Sequence, residues 1–177
     1  MIHSENPFQP ESGDRDQARR FRGRLPAGVT IVTAGARTAT TGLTVSSLFV
    51  IEGDPALVYM VVGPTTDLWT STAETGRFIV HLCRYEDHRL AEVFAGLSPS
   101  PGGLFTSVES TPSEWGPVLT DLGDRIYCSF LTREETGWSG VVVGRVDRVE
   151  VSDLTDPLIH FRGGYHRLVL NEPRRRS

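Results

Sequence analysis

Two hydroxyl-rich corners carry the chemistry this chain can offer. The first, Thr44-Val45-Ser46-Ser47, falls where a β-branched run passes into a loop. Serines in a tight turn present hydroxyls together with freed backbone amides, which suits an anion or the polar rim of a heterocycle. The second, Gly63-Pro64-Thr65-Thr66-Asp67, joins an apolar run to a short helical stretch. A helix N-terminus exposes unpaired N–H groups and a positive dipole end, so a phosphate is at home there; equally, Thr65 and Thr66 serve as caps of their own helix.

Other chemistries lack their residues. The histidines, His3, His81, His88, His160 and His166, show no HxH or HExxH spacing for a metal. No GxSxG elbow supports a hydrolase triad, and all 18 basic residues are Arg, so Schiff-base chemistry and a phosphate-loop lysine are excluded. Glu134-Glu135 reads as a solvated turn. With so little acid, base or nucleophile in place, an enzyme built on this chain leans on a bound cofactor.

The elements that must position the two corners are mostly strands. Residues 14–25 carry Ala18, Phe21 and Leu25 at helical spacing, and Pro26 ends them. Residues 28–34 and 41–49 read as strands separated by a turn. Residues 56–62 are continuously apolar, as in a strand buried on both faces, and a short helix follows from Thr65 to about Glu74. A strand over 78–83, an amphipathic helix over 86–95, and a Pro/Gly/Ser loop over 96–103 that suits a lid come next. Strands over 126–131 and 140–151 and two short ones near 158–161 and 165–170 finish the chain. Hairpin-like spacing without βαβ alternation favours an antiparallel barrel over a Rossmann sheet.

With 177 residues the chain is one domain, large enough to bury about 70% of its unfolded surface. We divide it into an N-terminal arm (1–13), a folded domain (14–170) and an Arg-rich tail (171–177). The net charge of −4 argues against a nucleic-acid partner, and no apolar run is long enough to span a bilayer as a helix. The start lacks the apolar stretch of a secretory signal. Cys83 and Cys128 lie in apolar runs without a CxxC partner, as reduced core thiols of a cytoplasmic protein do.

An ordered series of motifs resembles the flavin reductase-like, FMN-binding split-barrel family. Phe21-x-x-x-Leu25-Pro26-Ala27-Gly28-Val29-Thr30-Ile31-Val32-Thr33 is similar to its opening helix and strand, and Gly42-Leu43-Thr44-Val45-Ser46-Ser47-Leu48 to its flavin-contacting strand and loop. Thr75-Gly76-Arg77-Phe78-Ile79-Val80-His81-Leu82, Val143-Gly144-Arg145-Val146 and the stretch from Pro157 to Tyr165 continue the likeness to about Leu168. The resemblance implies a mainly β fold, a six-stranded antiparallel split β-barrel, in a homodimer with one FMN (or FAD) per subunit. It implies NADH or NADPH as hydride donor and, often, a flavin-dependent monooxygenase as partner. By the same resemblance Thr44, Val45, Ser46 and Ser47 line the flavin ring, Thr65 and Thr66 hold its phosphate, and Trp69 packs beside that helix. His81 takes a core or flavin-edge hydrogen bond.

The sequence departs from that family in two places. Gly137-Trp138-Ser139 stands where many relatives have Gly-Asp-His, so Trp138 either stacks on the nicotinamide side or packs in a dimer interface. That departure keeps a second reading open, a flavin-binding electron-shuttle or storage module without nicotinamide reductase activity; a third is a relative of the same fold that binds a deazaflavin or another flat heterocycle instead of FMN. Pro64 stands where relatives often carry a basic residue, which leaves the phosphate charge to an arginine such as Arg77. Tyr165 either projects toward the nicotinamide or finishes the barrel wall.

Overall fold

The computed structural model of the chain describes residues 12–36 and 39–169. The proposed arm and tail therefore lie almost wholly outside the described residues, although Ser12 and Gly13 already belong to the first helix. In chain order the elements are α1 (Ser12–Arg22), β1 (Ala27–Gly28), β2 (Thr30–Ala36), β3 (Ala39–Val45), β4 (Leu48–Ile51), β5 (Leu57–Val62), α2 (Asp67–Thr75), β6 (Arg77–Leu82), α3 (His88–Phe94), β7 (Ser110–Ser113), β8 (Gly116–Leu119), β9 (Arg125–Thr136), β10 (Ser139–Glu150), β11 (Leu158–Phe161) and β12 (Gly164–Arg167).

One antiparallel sheet in the order β3-β2-β6-β9-β10-β5-β4 dominates. Its two edge strands are neighbours in the chain, separated only by Ser46 and Ser47. The chain therefore leaves one edge and joins the opposite one, which forces the sheet to curl on itself. Counted as one bent strand, β3 and β4 give the expected six-stranded barrel; the hydrogen bonding resolves the bend and counts seven. β3 and β4 remain the edges of this curled sheet and do not pair with one another.

The barrel interior is a cluster that includes Val32, Val45, Met60, Leu68, Trp69, Phe78, Val80 and Val142. β2 is buried along nearly its whole length. Val32 and Ala34 face this interior, while Ile31 packs with Phe94 and Leu119 in a second cluster outside. That outer layer consists of α3 and the β7–β8 hairpin, and Thr33 Oγ1 donates to Pro117 O at 2.7 Å across it. Periodicity does not announce this hairpin, because Pro112 and Pro117 face one another within it and prolines suit only such edge positions.

Three expectations need adjustment. The helix expected over 86–95 is shorter, a 3-10 turn at Tyr85–Asp87 followed by α3. The loop over 96–103 is held by bonds such as Leu97 N–H to Glu92 O (2.9 Å) and Ser100 Oγ to Gly103 O (2.6 Å), rather than hanging free as a lid. β5 is buried on one face only: Val58, Met60 and Val62 point inward, and Val61 is exposed. Hydrophobicity on both faces does not tell a doubly buried strand from one whose outer face is left bare.

His81 shows how the layers are pinned. It is fully buried on β6, with Nδ1 3.1 Å from Ile31 O and Nε2 3.1 Å from the Leu119 amide. Since a carbonyl only accepts and an amide N–H only donates, Nδ1 carries the proton and Nε2 accepts. Burial holds its pKa down to about 3, against which the bond to Ile31 O is a smaller opposing effect. It is thus a satisfied core histidine, with neither nitrogen left for a flavin edge or proton transfer. Because its folded pKa lies below the unfolded value of 6.5, its contribution is complete above pH 6.5 and is lost as pH falls toward about 3. We expect urea denaturation to show the wild type losing about 1.4 kcal/mol per pH unit in this window more than His81→Asn, which cannot titrate there. Parallel pH profiles would show that the imidazole is not held neutral.

Candidate functional site

Strand register brings both hydroxyl corners to one end of the barrel. Leu48 pairs with Met60, and the Val61 amide donates to Ser47 O at 2.8 Å. The β3–β4 bend therefore lies beside the last residues of β5, from which the chain runs through residues 63–66 into α2. A third corner arrives through β10, where Gly140 pairs with Val62, so the β9–β10 hairpin tip stands at the same junction. Gly137 takes a φ of 62° at the first of the two central positions of this tip, a left-handed conformation that glycine adopts without strain.

Each residue of the first corner plays a different part. Val45 is buried in the barrel core, so only its backbone faces the corner. Thr30 Oγ1 donates to Val45 O at 2.7 Å and holds the β3 side of the bend. Thr44 Oγ1 donates to Ala91 O at 2.7 Å, which ties the bend to α3 and commits that hydroxyl proton. Ser46 and Ser47 are half-buried, and neither hydroxyl has a partner among the described residues. These two are the free polar groups of the bend.

At the second corner the capping reading and the phosphate reading divide between two adjacent threonines. Thr66 is the N-cap of α2: its Oγ1 donates to Gly63 O at 2.7 Å and accepts from Trp69 N–H at 3.3 Å. Thr65 is exposed and its hydroxyl has no partner among the described residues. The amides of Asp67 and Leu68, in the first turn of α2, find no acceptor among the described residues. The Asp67 carboxylate sits at the same end, so an anion bound there needs a compensating cation.

A cation packed against α2 is Arg133, a residue the sequence does not single out. Its guanidinium lies 4.7 Å from the centre of the Trp69 ring and donates to Trp69 O. Arg77 is turned elsewhere: it forms an ion pair with Glu114 and stands 5.0 Å from the Trp115 ring, which corrects its expected reach toward the phosphate. The signal for Arg133 lies in pairing rather than in a motif. It is opposite Val142, two residues from Gly140, on the face that meets α2.

Trp69 projects from α2 into the barrel interior and meets the β9–β10 hairpin. It is 7% exposed, and a Cβ on Gly140 would come within 2.2 Å of its ring, so the hairpin approaches α2 this closely only because that residue is glycine. Trp138, at the hairpin tip, is 55% exposed and available for stacking. Tyr165 lies on β12, half-buried, with its ring edge-on to His160 at 6.1 Å and packed with Cys83 and Ala91. Burial, then Cys83 and Glu92, raise its pKa. Tyr165 thus packs against the outer cluster, while Trp138 stands exposed at the hairpin tip.

The donor set suits a flat heterocycle carrying a phosphate: two free serine hydroxyls at the bend, free amides and Thr65 at the helix start, and a guanidinium close by. Among the described residues no group of three or more His, Cys, Asp or Glu could hold a metal ion. Cys83 and Cys128 are free and buried, and burial pushes both thiols far above their ordinary range.

Comparison with known proteins agrees with this geometry. Residues 22–169 match the flavin reductase like domain. The chain is 32% identical to the NADH-dependent FMN reductase AsuE2 of Streptomyces nodosus subsp. asukaensis over 154 residues, covering 85% of this chain and 83% of that protein. It is 30% identical to the reductase component of 4-hydroxyphenylacetate 3-monooxygenase from Thermus thermophilus, covering 82% and 91%. Among solved structures, nitrilotriacetate monooxygenase component B from Mycobacterium thermoresistibile superposes with a TM-score of 0.80 at 27% identity, covering 93% of each chain. The NADH:FAD oxidoreductase SgcE6 of Streptomyces globisporus, at 22% identity, shares the fold with a TM-score of 0.81 over 90% of this chain and 96% of its own. By its sequence match, its barrel and its relatives, the chain belongs to the flavin reductase-like domain family.

Proposed function

We propose that this protein is an NADH-dependent FMN reductase that supplies reduced flavin to a partner monooxygenase. The observation that carries the reading is the convergence of the bend at Ser46 and Ser47, the start of α2 and the β9–β10 tip at one end of the curled sheet. The relatives' named activities supply the donor and acceptor, and several of those relatives are reductase components of monooxygenases.

The parts follow from the free groups. Ser46 and Ser47 hydrogen-bond the polar edge of the ring, and the bend carries their backbone to it. Thr65, the free amides of Asp67 and Leu68, and Arg133 hold the phosphate, while Thr66 keeps its capping role. Bound FMN supplies the hydride-accepting ring, so the protein's task is to orient and shield rather than to provide acid or base. Trp138 offers a face on which a nicotinamide stacks, and Tyr165 closes the α3 side. A helix-start site that has one arginine and one opposing aspartate holds a phosphate modestly, which suits flavin that leaves after reduction.

The same proposal extends to a homodimer. Outside the barrel, Phe49, Ile51, Tyr59, Val61, Val141 and Val143 form a continuous ladder of outward residues on β4, β5 and β10. Phe49 is 67% and Ile51 49% exposed, and an apolar sheet face of this kind marks an interaction surface. Among the described residues no helix long and apolar enough to cross a membrane occurs, and the buried thiols fit a cytoplasmic setting.

Anaerobic mixing of FMN-loaded protein with NADH should bleach the flavin absorbance within seconds; loss of NADH response with flavin still bound would instead favour the electron-shuttle reading. Replacing Thr65 by Val and Arg133 by Met should together weaken FMN affinity at least ten-fold in a fluorescence titration. Thr66→Ala should cost about 1 kcal/mol of stability, largely restored by Ser, because the cap is lost. In sedimentation, Phe49→Asp should shift a two-chain species to one chain, and a wild type that sediments as a single chain would remove the dimer.

A further inference from the structure

The end of α1 and the β11–β12 hairpin meet in one exposed patch that the flavin site does not use. Residues 17–25 and 158–169 together hold six of the chain's 18 arginines and no Asp or Glu, whereas the rest of the chain sets 12 arginines against 22 acidic residues. Backbone bonds join the two segments: Ala27 pairs with His160, and the Arg162 amide donates to Gly23 O at 2.7 Å. Burial, and then the nearby Arg22, lower the pKa of His160, as a guanidinium standing beside β11 does.

Not all of these arginines are available. Arg167 is paired with Asp156 at 2.8 Å and lies 4.5 Å from the centre of the Tyr85 ring. Arg19 and Arg20 follow Asp16 by one turn of α1. Arg22, Arg24 and Arg162 are exposed and have no carboxylate partner among the described residues. Apolar side chains stand among them, with Phe21 66% and Leu25 55% exposed. Arg162 sits where local preference is against it. With Gly163 it forms the two-residue turn of the hairpin, and its φ of 51° is left-handed, where Asn, Asp or Gly is the ordinary choice. A long cation held at such a position points to what the cation meets.

The pattern selects its occupant. Free guanidiniums fork onto carboxylates, and arginine beside an exposed aromatic ring is the composition of a protein interface. A helix that lies on a membrane needs a continuous apolar face, and α1 begins Ser12-Gly13-Asp14-Arg15-Asp16. A nucleic-acid strand would run beyond so small a patch onto a chain whose remainder is strongly acidic. The patch also lies close to the bend: Val29, whose amide donates to Leu158 O at 3.0 Å, leads directly into Thr30, whose hydroxyl holds Val45 O. We infer that this patch docks an acidic segment of a partner protein, with carboxylates on Arg22, Arg24 and Arg162 and an apolar side chain against Phe21 and Leu25. That the docked partner takes reduced flavin rests on the function proposed above; the chemistry of the contact does not.

The test uses the full chain with saturating FMN and, as the probe, a rhodamine-labelled peptide of four Asp-Asp-Leu repeats, read by fluorescence anisotropy at low salt. The peptide should bind saturably and at least ten-fold more tightly than its Ser-Ser-Leu counterpart. Arg22→Ser combined with Arg24→Ser should lower that affinity at least ten-fold. Arg162→Asn, which suits the left-handed turn, should lower it at least three-fold with no loss of thermal stability. Arg145→Ser, an exposed arginine on β10 paired with Asp147, should leave it unchanged. NADH turnover with free FMN should be the same in every variant. Absence of saturable binding, an equal loss in Arg145→Ser, or tighter binding to phosphatidylglycerol vesicles or oligothymidylate than to the peptide would each overturn the inference. A wild type that binds the peptide but does not oxidise NADH keeps the docking patch and removes the reductase reading; one that oxidises NADH but ignores the peptide removes the patch alone.

Discussion

The bend at Ser46 and Ser47 is the constraint on which the rest of the structure depends. A seven-stranded antiparallel sheet whose edge strands follow one another in the chain has no flat solution, because two residues cannot span its width. The sheet curls, and bonds on both sides hold the crossing: Thr30 Oγ1 to Val45 O before it, and Val61 N–H to Ser47 O after it. Two serines are left at the crossing with their hydroxyls unspent. Because β4 and β5 are antiparallel, β5 must end where β4 begins, and the start of α2 is carried to the same place.

Trp69 converts that neighbourhood into a fixed geometry. One side of its ring meets Gly140 of the hairpin and Arg133 lies over it, so helix, hairpin and cation move as one unit. A cation over an indole contributes about 0.5–1 kcal/mol where solvent reaches it. Its larger effect here is positional, since it holds a positive charge beside a helix start that carries an aspartate. The second aromatic–arginine group, Trp115 with Arg77 and Arg148, performs the same service for the outer hairpin and so removes Arg77 from the anion corner.

Burial is distributed unevenly around the barrel. β2 and β6 are covered on both faces, by the interior and by the layer of α3 and β7–β8, with His81 bonded to both β2 and β8. β4, β5 and the middle of β10 are covered only from within. The chain invests its secondary layer on one side and leaves apolar residues bare on the other.

Much of the fold is legible in the residues themselves. β-branched alternation marks β2, β3 and β10, Pro26 and Gly76 mark ends, and the two hydroxyl corners stand out by composition. Local preference determines these features, because turn, cap and strand propensities act over a few residues. What the tertiary structure alone decides is pairing. It spends Thr66 on its cap while the Thr65 hydroxyl has no partner among the described residues; it lays Arg133 over Trp69 and turns Arg77 toward Glu114 and Trp115; it makes His81 a core group; and it bares one face of β5, whose apolar run reads as doubly buried. The β7–β8 hairpin, built on opposed prolines, has no periodic signal at all. Each of these outcomes depends on which distant strand lies alongside, and register across a curled sheet is set by the global packing of its interior rather than by any short stretch of sequence.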